Sequence, residues 1–154
     1  MTTIDDLIDP RLVLLDLDDT DRDEALRRLT VALHDTGRVT DPDAFLAAVL
    51  AREEETGGTG MGSGVAIPHA KSEAVTAASV AVGRSSTGLD FGAEEEGLAD
   101  LILLIAAPAG EDDLHVTVLS RLARRLIHSD FRESLRGAAA PDDVIALLQR
   151  EVEL

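Results

Sequence analysis

One histidine stands out by its place in the sequence. His69 follows the apolar run Val65–Ile67 and Pro68, so we expect it at the exit of a short strand, where proline fixes φ and removes a backbone donor. Imidazole is nucleophilic when it is neutral, titrates near physiological pH and can hold a phosphoryl group that is passed onward. A packed or surface histidine is the alternative, and this segment by itself does not decide between the two.

A second histidine is expected near the carboxyl end of a central strand. The run Leu101–Ala107 is continuously apolar, which predicts a strand buried on both faces, and His115 lies at the start of the helix predicted after it. Open α/β sheets place their sites at the carboxyl ends of strands, and the first amides of a helix favour an anion. His34 and His128, near predicted helix ends, are expected to be solvated.

Phosphoryl chemistry also needs groups that meet the charge of the transferred group. Arg52, at the end of a predicted helix, can supply a cation, although a solvated helix-end arginine fits the sequence equally well. The glycine-rich segment Gly57–Gly64 can offer several backbone N–H groups to one anion, or it can be only a connector. It has neither the lysine of a P-loop nor the spacing of the dinucleotide motif, and we expect a loop without regular structure.

Other chemistries are disfavoured by composition and spacing. The chain has no cysteine, which excludes disulfides, thiolate metal sites and a cysteine nucleophile. His69 and His115 match no compact metal-ligand spacing, and Ser63 and Ser72 lack the context of a nucleophile elbow. We therefore expect no metal and no cofactor.

The composition indicates a soluble, acidic protein. The formal net charge of the 154 residues is −16, and aromatic residues make up only 2%. This charge disfavours nucleic acid and anionic membranes as partners, and the shortage of aromatic side chains removes the stacking platforms for single strands. A salt-rich host is one hypothesis for the acidic surface, since salt screens self-repulsion; a merely soluble surface is the other. No segment reads as a secretion signal or membrane span, so we expect a cytoplasmic location.

Strand and helix patterns alternate along the chain. Short apolar runs predict strands at Leu12–Leu15, Val65–Ile67, Ala77–Val82 and Leu101–Ala107, with a turn at Ser85–Gly88. Apolar residues at helical spacing predict five helices, which begin near Thr20, at Asp41-Pro42, after Glu111–Asp113, before Phe131 and at Pro141. We expect one α/β domain over residues 1–154, with a sheet covered by helices on both faces.

At these residues the sequence resembles the enzyme IIA domain of the fructose/mannitol type, from the phosphoenolpyruvate-dependent sugar phosphotransferase system. The resemblance covers nearly the whole chain and is most specific at Gly64–Lys71. Further matching segments are Ala47–Glu54, Asp90–Gly92 and Ala107–Ala123. The family fold is a mixed, mostly parallel sheet between helices, which agrees with the predicted elements.

The resemblance implies a role for each candidate residue. His69 matches the family's phosphorylated histidine, which takes phosphate from the histidine-containing phosphocarrier protein and passes it to a cysteine of enzyme IIB. His115 matches a second active-site histidine that orients or stabilises the phosphoryl group, and Arg52 matches an arginine near the site. The implied function is phosphate transfer for sugar uptake, with fructose the expected sugar and a membrane permease the indirect partner. The alternative is a regulatory, nitrogen-type enzyme IIA, in which the same phosphorylation changes partner binding.

Two features depart from the family's pattern. The segment from Arg52 to His69 is slightly longer than usual, which leaves open whether Arg52 reaches the site. The surface is also more acidic, whereas a phosphocarrier partner normally meets an apolar patch ringed by charge. We therefore expect an apolar rim near Met61 and His69, with the excess negative charge elsewhere.

Overall fold

The computed structural model describes residues 3–92, 97–110 and 114–152, and for Leu114 and His115 it describes the backbone alone. The helices are α1 (Ile4–Leu7), α2 (Arg22–Asp35), α3 (Pro42–Thr56), α4 (Leu114–Leu126), α5 (Ser129–Gly137) and α6 (Pro141–Glu151), with a 3₁₀ turn at Pro10–Leu12. The strands are β1 (Val13–Leu17), β2 (Gly60–Gly62), β3 (Val65–Ala66), β4 (His69–Ser72), β5 (Ser79–Leu89) and β6 (Ala99–Pro108). Within these ranges no helix has the length and apolarity needed to cross a membrane.

One six-stranded sheet forms the centre of the fold. Its strand order is β1-β5-β6-β3-β2, and β4 pairs with β6 farther along the same edge as β3. Strand β6 runs parallel to β3 and β4 and antiparallel to β5, while β5 is parallel to β1. The expected mixed, mostly parallel sheet is confirmed.

Strand β6 is buried on both faces, as its continuous apolar sequence predicted. Successive side chains of a strand point to opposite faces, and they join two different clusters here. Ile102 and Leu104 pack in the cluster that contains the buried residues of α2 and α3. Leu103 and Ile105 pack in the cluster formed with α1, α4, α5 and α6. The sheet therefore lies between two helical layers.

The helix starts follow the capping residues in the sequence. Asp41 accepts a hydrogen bond from the amide of Ala44 at 3.1 Å, and Pro42 is the first residue of α3. Helix α2 is capped by Asp21 rather than Thr20, through the amide of Asp23 at 3.4 Å. The expected helices around Phe131 and from Pro141 are confirmed by α5 and α6. The acidic residues 111–113, expected at the start of α4, lie outside the described residues.

The prediction of a turn at Ser85–Gly88 is wrong, because β5 continues through it to Leu89. The hydroxyl of Ser85 accepts hydrogen bonds from the amides of Thr87 at 3.3 Å and Gly88 at 3.0 Å. The register against β6 shifts at this point, and Gly88 has a positive φ of 79°. Such side-chain bonds to the backbone make a bulge within a strand as readily as a turn between two strands.

The prediction of an irregular glycine-rich loop is also wrong. Gly60–Gly62 forms β2, which pairs antiparallel with β3, and the turn between them has positive φ at Gly62–Gly64. Gly58, with φ of 113°, passes so close to the chain that a Cβ there would lie 2.1 Å from the carbonyl oxygen of Phe91. Only glycine permits this approach, so the glycines serve to pack a hairpin closely against the residues that follow β5.

Candidate functional site

His69 lies near the carboxyl end of the central strand. It is the first residue of β4 and pairs with Ile105 of β6, three residues before that strand ends at Pro108. Pro68 interrupts the edge between β3 and β4 because it has no amide to donate, although its carbonyl still accepts from the amide of Ile105 at 2.9 Å. The histidine therefore follows the short strand β3, as expected, and begins a further strand segment, β4.

Within the described residues, one hydrogen bond holds the imidazole of His69. Its Nδ1 lies 2.9 Å from the carbonyl oxygen of Ile67. A carbonyl oxygen can only accept, so Nδ1 carries the hydrogen and donates it. In the neutral ring the lone pair is then on Nε2. The backbone thus selects the tautomer in which Nε2 is the nucleophilic nitrogen.

Two cations share an open surface cavity with this ring. The cavity has a volume of about 240 Å³ and is lined by Ala48, Arg52, His69, Ala70 and Lys71. The longer segment before His69 does not carry Arg52 away from it. Lys71 had no assigned role in the sequence, although it belongs to the same β4 strand. The described lining is apolar and cationic and contains no carboxylate, in a chain of net charge −16.

Arg52 is held loosely in this position. Among the described residues its guanidinium makes one ion pair, from Nη1 to Oε2 of Glu55 at 3.5 Å, and half of its side-chain surface is exposed. An exposed pair at this separation contributes little free energy. The side chain can therefore reorient toward an anion at small cost.

The structure places His115 in the first turn of α4, the helix that follows β6 in the chain. This agrees with the backbone position expected from the sequence. Its side chain lies outside the described residues, so its role remains a prediction.

The amides of the glycine-rich segment do not form the predicted anion cradle. The amide of Gly58 donates to the carbonyl of Glu53 at 2.9 Å, and that of Gly60 donates to Phe91 at 2.8 Å. The hairpin tip lies beside Leu101, four residues before the partner of His69 on β6. At the usual rise of a strand this is a separation of about 13 Å.

Glu53 is a buried residue of this region that the sequence reasoning missed. It is only 2% exposed, and its Oε1 accepts from the hydroxyl of Thr59 at 2.7 Å. Burial raises the pKa of Glu53 above its ordinary value, and the hydrogen bond from Thr59 partly opposes that shift. The sequence does indicate this burial, because Glu53 follows the buried Leu46 and Val49 at helical spacing.

One open cavity near the carboxyl end of the central strand is thus lined by a histidine and two cations, an arrangement that suits an anionic group. Residues 6–151 match the family model described as "Phosphoenolpyruvate-dependent sugar phosphotransferase system, EIIA 2". The chain belongs to this family and is a phosphotransferase component of that sugar system.

Three similar proteins define its relationships. A "PTS system fructose-specific EIIA component" of the haloarchaeon Haloferax volcanii is 39% identical over 99% of this chain and 99% of its own length. The crystal structure of nitrogen regulatory protein IIA-Ntr from Neisseria meningitidis has a TM-score of 0.84 and 27% identity, covering 94% of this chain and 97% of that one. A complex of mannitol enzyme IIA with phosphorylated enzyme IIB from Escherichia coli gives a TM-score of 0.76 and 28% identity, covering 92% of this chain and 96% of the matched one.

Proposed function

We propose that this chain accepts a phosphoryl group on Nε2 of His69 from the histidine-containing phosphocarrier protein and passes it to a cysteine of enzyme IIB. The observation that carries the proposal is the bond from Nδ1 of His69 to the carbonyl of Ile67, which leaves Nε2 with the lone pair. The cavity shared with Arg52 and Lys71 supplies a cationic setting for the group. The mannitol enzyme IIA described in complex with phosphorylated enzyme IIB supports the acceptor.

The transfer balances without an external base. The Nε2 lone pair attacks phosphorus of the incoming phosphohistidine, the Nε2–P bond forms, and the P–N bond to the donor breaks with its electrons returning to the donor imidazole. The hydrogen on Nδ1 stays in its bond to Ile67 throughout. When an enzyme IIB thiolate attacks phosphorus, the Nε2–P bond breaks and the neutral His69 tautomer is regenerated.

The proposed catalytic residues are His69 as nucleophile, with Arg52 meeting the charge on the phosphoryl oxygens and His115 orienting the group. Lys71 joins Arg52 because it lines the same cavity. Cations placed where charge develops are worth more in a preorganised site than in water. In this arrangement His69 forms the bond to phosphorus, and the other residues stabilise the transferring group.

The test is transfer of label from phosphoenolpyruvate through the general phosphotransferase proteins to this chain. His69→Ala should take up no label, while the matched control His128→Ala should match wild type, because His128 is exposed and its side chain makes no capping bond. Uptake of label by His69→Ala at the wild-type level would remove His69 from the mechanism.

His115→Ala tests the second histidine separately. The variant should still accept phosphate. Its rate of transfer to enzyme IIB should fall about 100-fold if His115 acts as one stabilising donor. Normal rates in both steps would exclude this role.

A regulatory role is the second candidate, and the likeness to nitrogen regulatory protein IIA-Ntr favours it. Both roles require phosphorylation at His69, so the deciding step is onward transfer. We propose transport, with fructose as the sugar, because the full-length relative from Haloferax volcanii is named fructose-specific. Labelled fructose phosphate formed with enzyme IIB and permease would support it; a phosphorylated chain that passes label to no enzyme IIB would favour regulation.

We further propose that the acidic surface suits a salt-rich host. The net charge of −16 and the haloarchaeal relative support this. Because salt screens repulsion among like charges, the melting temperature should rise in molar KCl. Equal melting temperatures with and without the salt would contradict the proposal.

A further inference from the structure

Glu53 has a carboxylate in a place where burial and the helix dipole both disfavour it. The residue is 2% exposed, and among the described atoms its Oε2 has no hydrogen-bond partner. It also lies in the last turn of α3, where the helix dipole disfavours a negative charge. Burying an ionisable group with one oxygen unpaired costs free energy. Such a residue calls for an explanation beyond packing.

Capping of helix α3 does not supply that explanation. The amide of Gly57 bonds to the carbonyl of Glu53, as does the amide of Gly58 at 2.9 Å. The hydroxyl of Thr56 donates to the carbonyl of Arg52 at 3.0 Å. These bonds close the end of the helix through backbone and hydroxyl groups, and the Glu53 carboxylate takes no part in them.

The carboxylate is instead the first group in a short path to the candidate nucleophile. Its Oε1 accepts from the hydroxyl of Thr59 at 2.7 Å. The carbonyl of Thr59 accepts from the amide of Ile67 at 3.2 Å, and the carbonyl of Ile67 accepts from Nδ1 of His69 at 2.9 Å. Three hydrogen bonds thus connect the carboxylate to the imidazole through the side chain of Thr59 and the backbone of Thr59 and Ile67.

This path holds Ile67 in place, and Ile67 is the residue whose carbonyl selects the tautomer of His69. Ile67 lies between the end of β3 and Pro68, where the strand pairing is interrupted. Its amide bonds outward to Thr59 rather than to β6. The position of the Ile67 peptide therefore depends on Thr59, and the hydroxyl of Thr59 depends on Glu53.

We propose that Glu53 is a positioning residue for His69, which acts through Thr59 and Ile67 to hold the imidazole as its Nδ1–H tautomer with Nε2 as the nucleophile. The proposal rests on the proposed function for its consequence in phosphate transfer.

The test compares four substitutions in the full chain. Thr59→Val removes the hydroxyl at nearly constant volume, and Glu53→Gln removes the charge while it keeps an acceptor oxygen. Thr59→Ser restores the donor. Glu54→Gln is the matched control, because it is the same change one residue on, at an exposed position.

Two measurements are made on each variant. Long-range ¹H–¹⁵N spectra of the His69 ring report which nitrogen carries hydrogen, and quench-flow labelling reports the rate of phosphorylation by the phosphocarrier protein. In wild type the hydrogen should be on Nδ1. Thr59→Val should give a mixture of tautomers and a rate reduced about tenfold, as expected for modest misplacement of a reacting atom. Glu53→Gln should show a smaller change in the same direction, and Thr59→Ser and Glu54→Gln should resemble wild type.

The outcomes separate this inference from the proposed function. Wild-type spectra and rates in both Thr59→Val and Glu53→Gln would overturn the positioning role, as would a loss of melting temperature with an unchanged tautomer. If wild-type His69 accepts no phosphate at all, the proposed function fails, while the spectra still decide whether Glu53 and Thr59 fix the tautomer. If Glu53→Gln does not fold, the comparison of Thr59→Val with Thr59→Ser decides the question.

Discussion

Two arginines at opposite ends of the same sheet edge are held in contrasting ways. At the start of β6, Arg136 makes a bidentate pair with Asp100 at 2.9 and 3.0 Å, and it also bonds to Glu133 at 2.7 Å and to the carbonyl of Ser63 at 2.6 Å. Near the carboxyl end of β6, Arg52 is half exposed, and within the part of the chain that the structure describes it has one long ion pair. The guanidinium of Arg136 donates four hydrogen bonds within the chain, whereas that of Arg52 has only a long ion pair among the described residues.

The difference distinguishes an arginine that holds the fold from one that can hold a ligand. Arg136 joins α5, β6 and the tip of the β2–β3 hairpin, so its bonding capacity is used within the chain. The pKa of Arg136 is raised, chiefly by its hydrogen bond to Asp100. Among the described residues Arg52 pairs only with Glu55, so most of its five donors can serve a ligand. In an acidic chain, a cation that is only lightly paired is therefore informative about function.

The β2–β3 hairpin lies between the two arginine sites, and Gly58→Ala in the segment before it should have the largest effect on the free energy of unfolding. The added Cβ would meet the carbonyl of Phe91 at 2.1 Å, at a φ of 113°. Strain and overpacking together should lower the free energy of unfolding by at least about 3 kcal/mol, measured by urea denaturation. Gly57→Ala is the matched control, since Gly57 also has positive φ but no atom within 4 Å of the added carbon; its cost should be about 1 kcal/mol. Equal costs would show that the close approach is not rigid.

Arg52→Ala should separate function from stability. We expect the rate of phosphate transfer to fall about 100-fold, equivalent to about 2.7 kcal/mol, with the free energy of unfolding changed by less than about 0.5 kcal/mol. Arg52→Lys keeps a point charge without the planar fork and should lose less, about tenfold. The measurements are labelled transfer and urea denaturation on the same preparations. A large loss of stability with unchanged transfer would assign Arg52 to the fold.

Arg136→Ala should give the opposite result. Removing the bidentate partner of Asp100 should lower the free energy of unfolding by about 2 kcal/mol, the scale of a charged hydrogen bond lost at a partly buried site. The rate of phosphorylation, corrected for the folded fraction, should stay near wild type. Arg136→Lys should recover only part of the stability because ammonium cannot make the bidentate contact. Slow phosphorylation of folded Arg136→Ala would show that the Arg136 end of β6 is coupled to the Arg52 end.

The sequence predicted the sheet and most helices because their signals are local. The apolar run of β6, the caps at Asp41 and Pro42, and the spacing in α5 each determine an element with little help from elsewhere. The motif around His69 also predicted its position just after a short strand; its role as nucleophile stays a prediction. These inferences depended on residues that are close in sequence.

The sequence did not predict features that depend on contacts between distant segments. The glycine hairpin forms because Gly58 packs on Phe91, and no local pattern indicates that partner. No role was assigned to Glu53 from the sequence, although its helical phase placed it on the buried face. Its role appears only when Thr59 and Ile67 are seen to connect it to the ring. The bonds that orient the site are thus less visible in sequence than the residue they orient.

The exposed pair of Asp9 and Arg11 is an arginine–carboxylate contact that should contribute least to stability. Asp9 caps the 3₁₀ turn at Pro10–Leu12 and accepts from the amide of Arg11 at 2.8 Å and from its guanidinium at 3.0 Å. These bonds, chiefly the one from the Arg11 side chain, lower the pKa of Asp9 from 3.8 to about 2. The unfolded chain therefore binds more protons than the folded chain between these values, and stability falls as the pH drops through that window.

Asp9→Asn should thus have the smallest effect and a defined pH dependence. At neutral pH we expect a loss of about 1 kcal/mol, since amide and carboxylate both cap but only the carboxylate attracts Arg11. As the pH falls from about 4 toward about 2, wild type should lose this advantage while the variant has none to lose, so the two unfolding curves should converge. A difference that stays constant over that range would mean that the pair with Arg11 does not stabilise the fold, and the contrast between firmly and lightly held arginines would then rest on Arg136 and Arg52 alone.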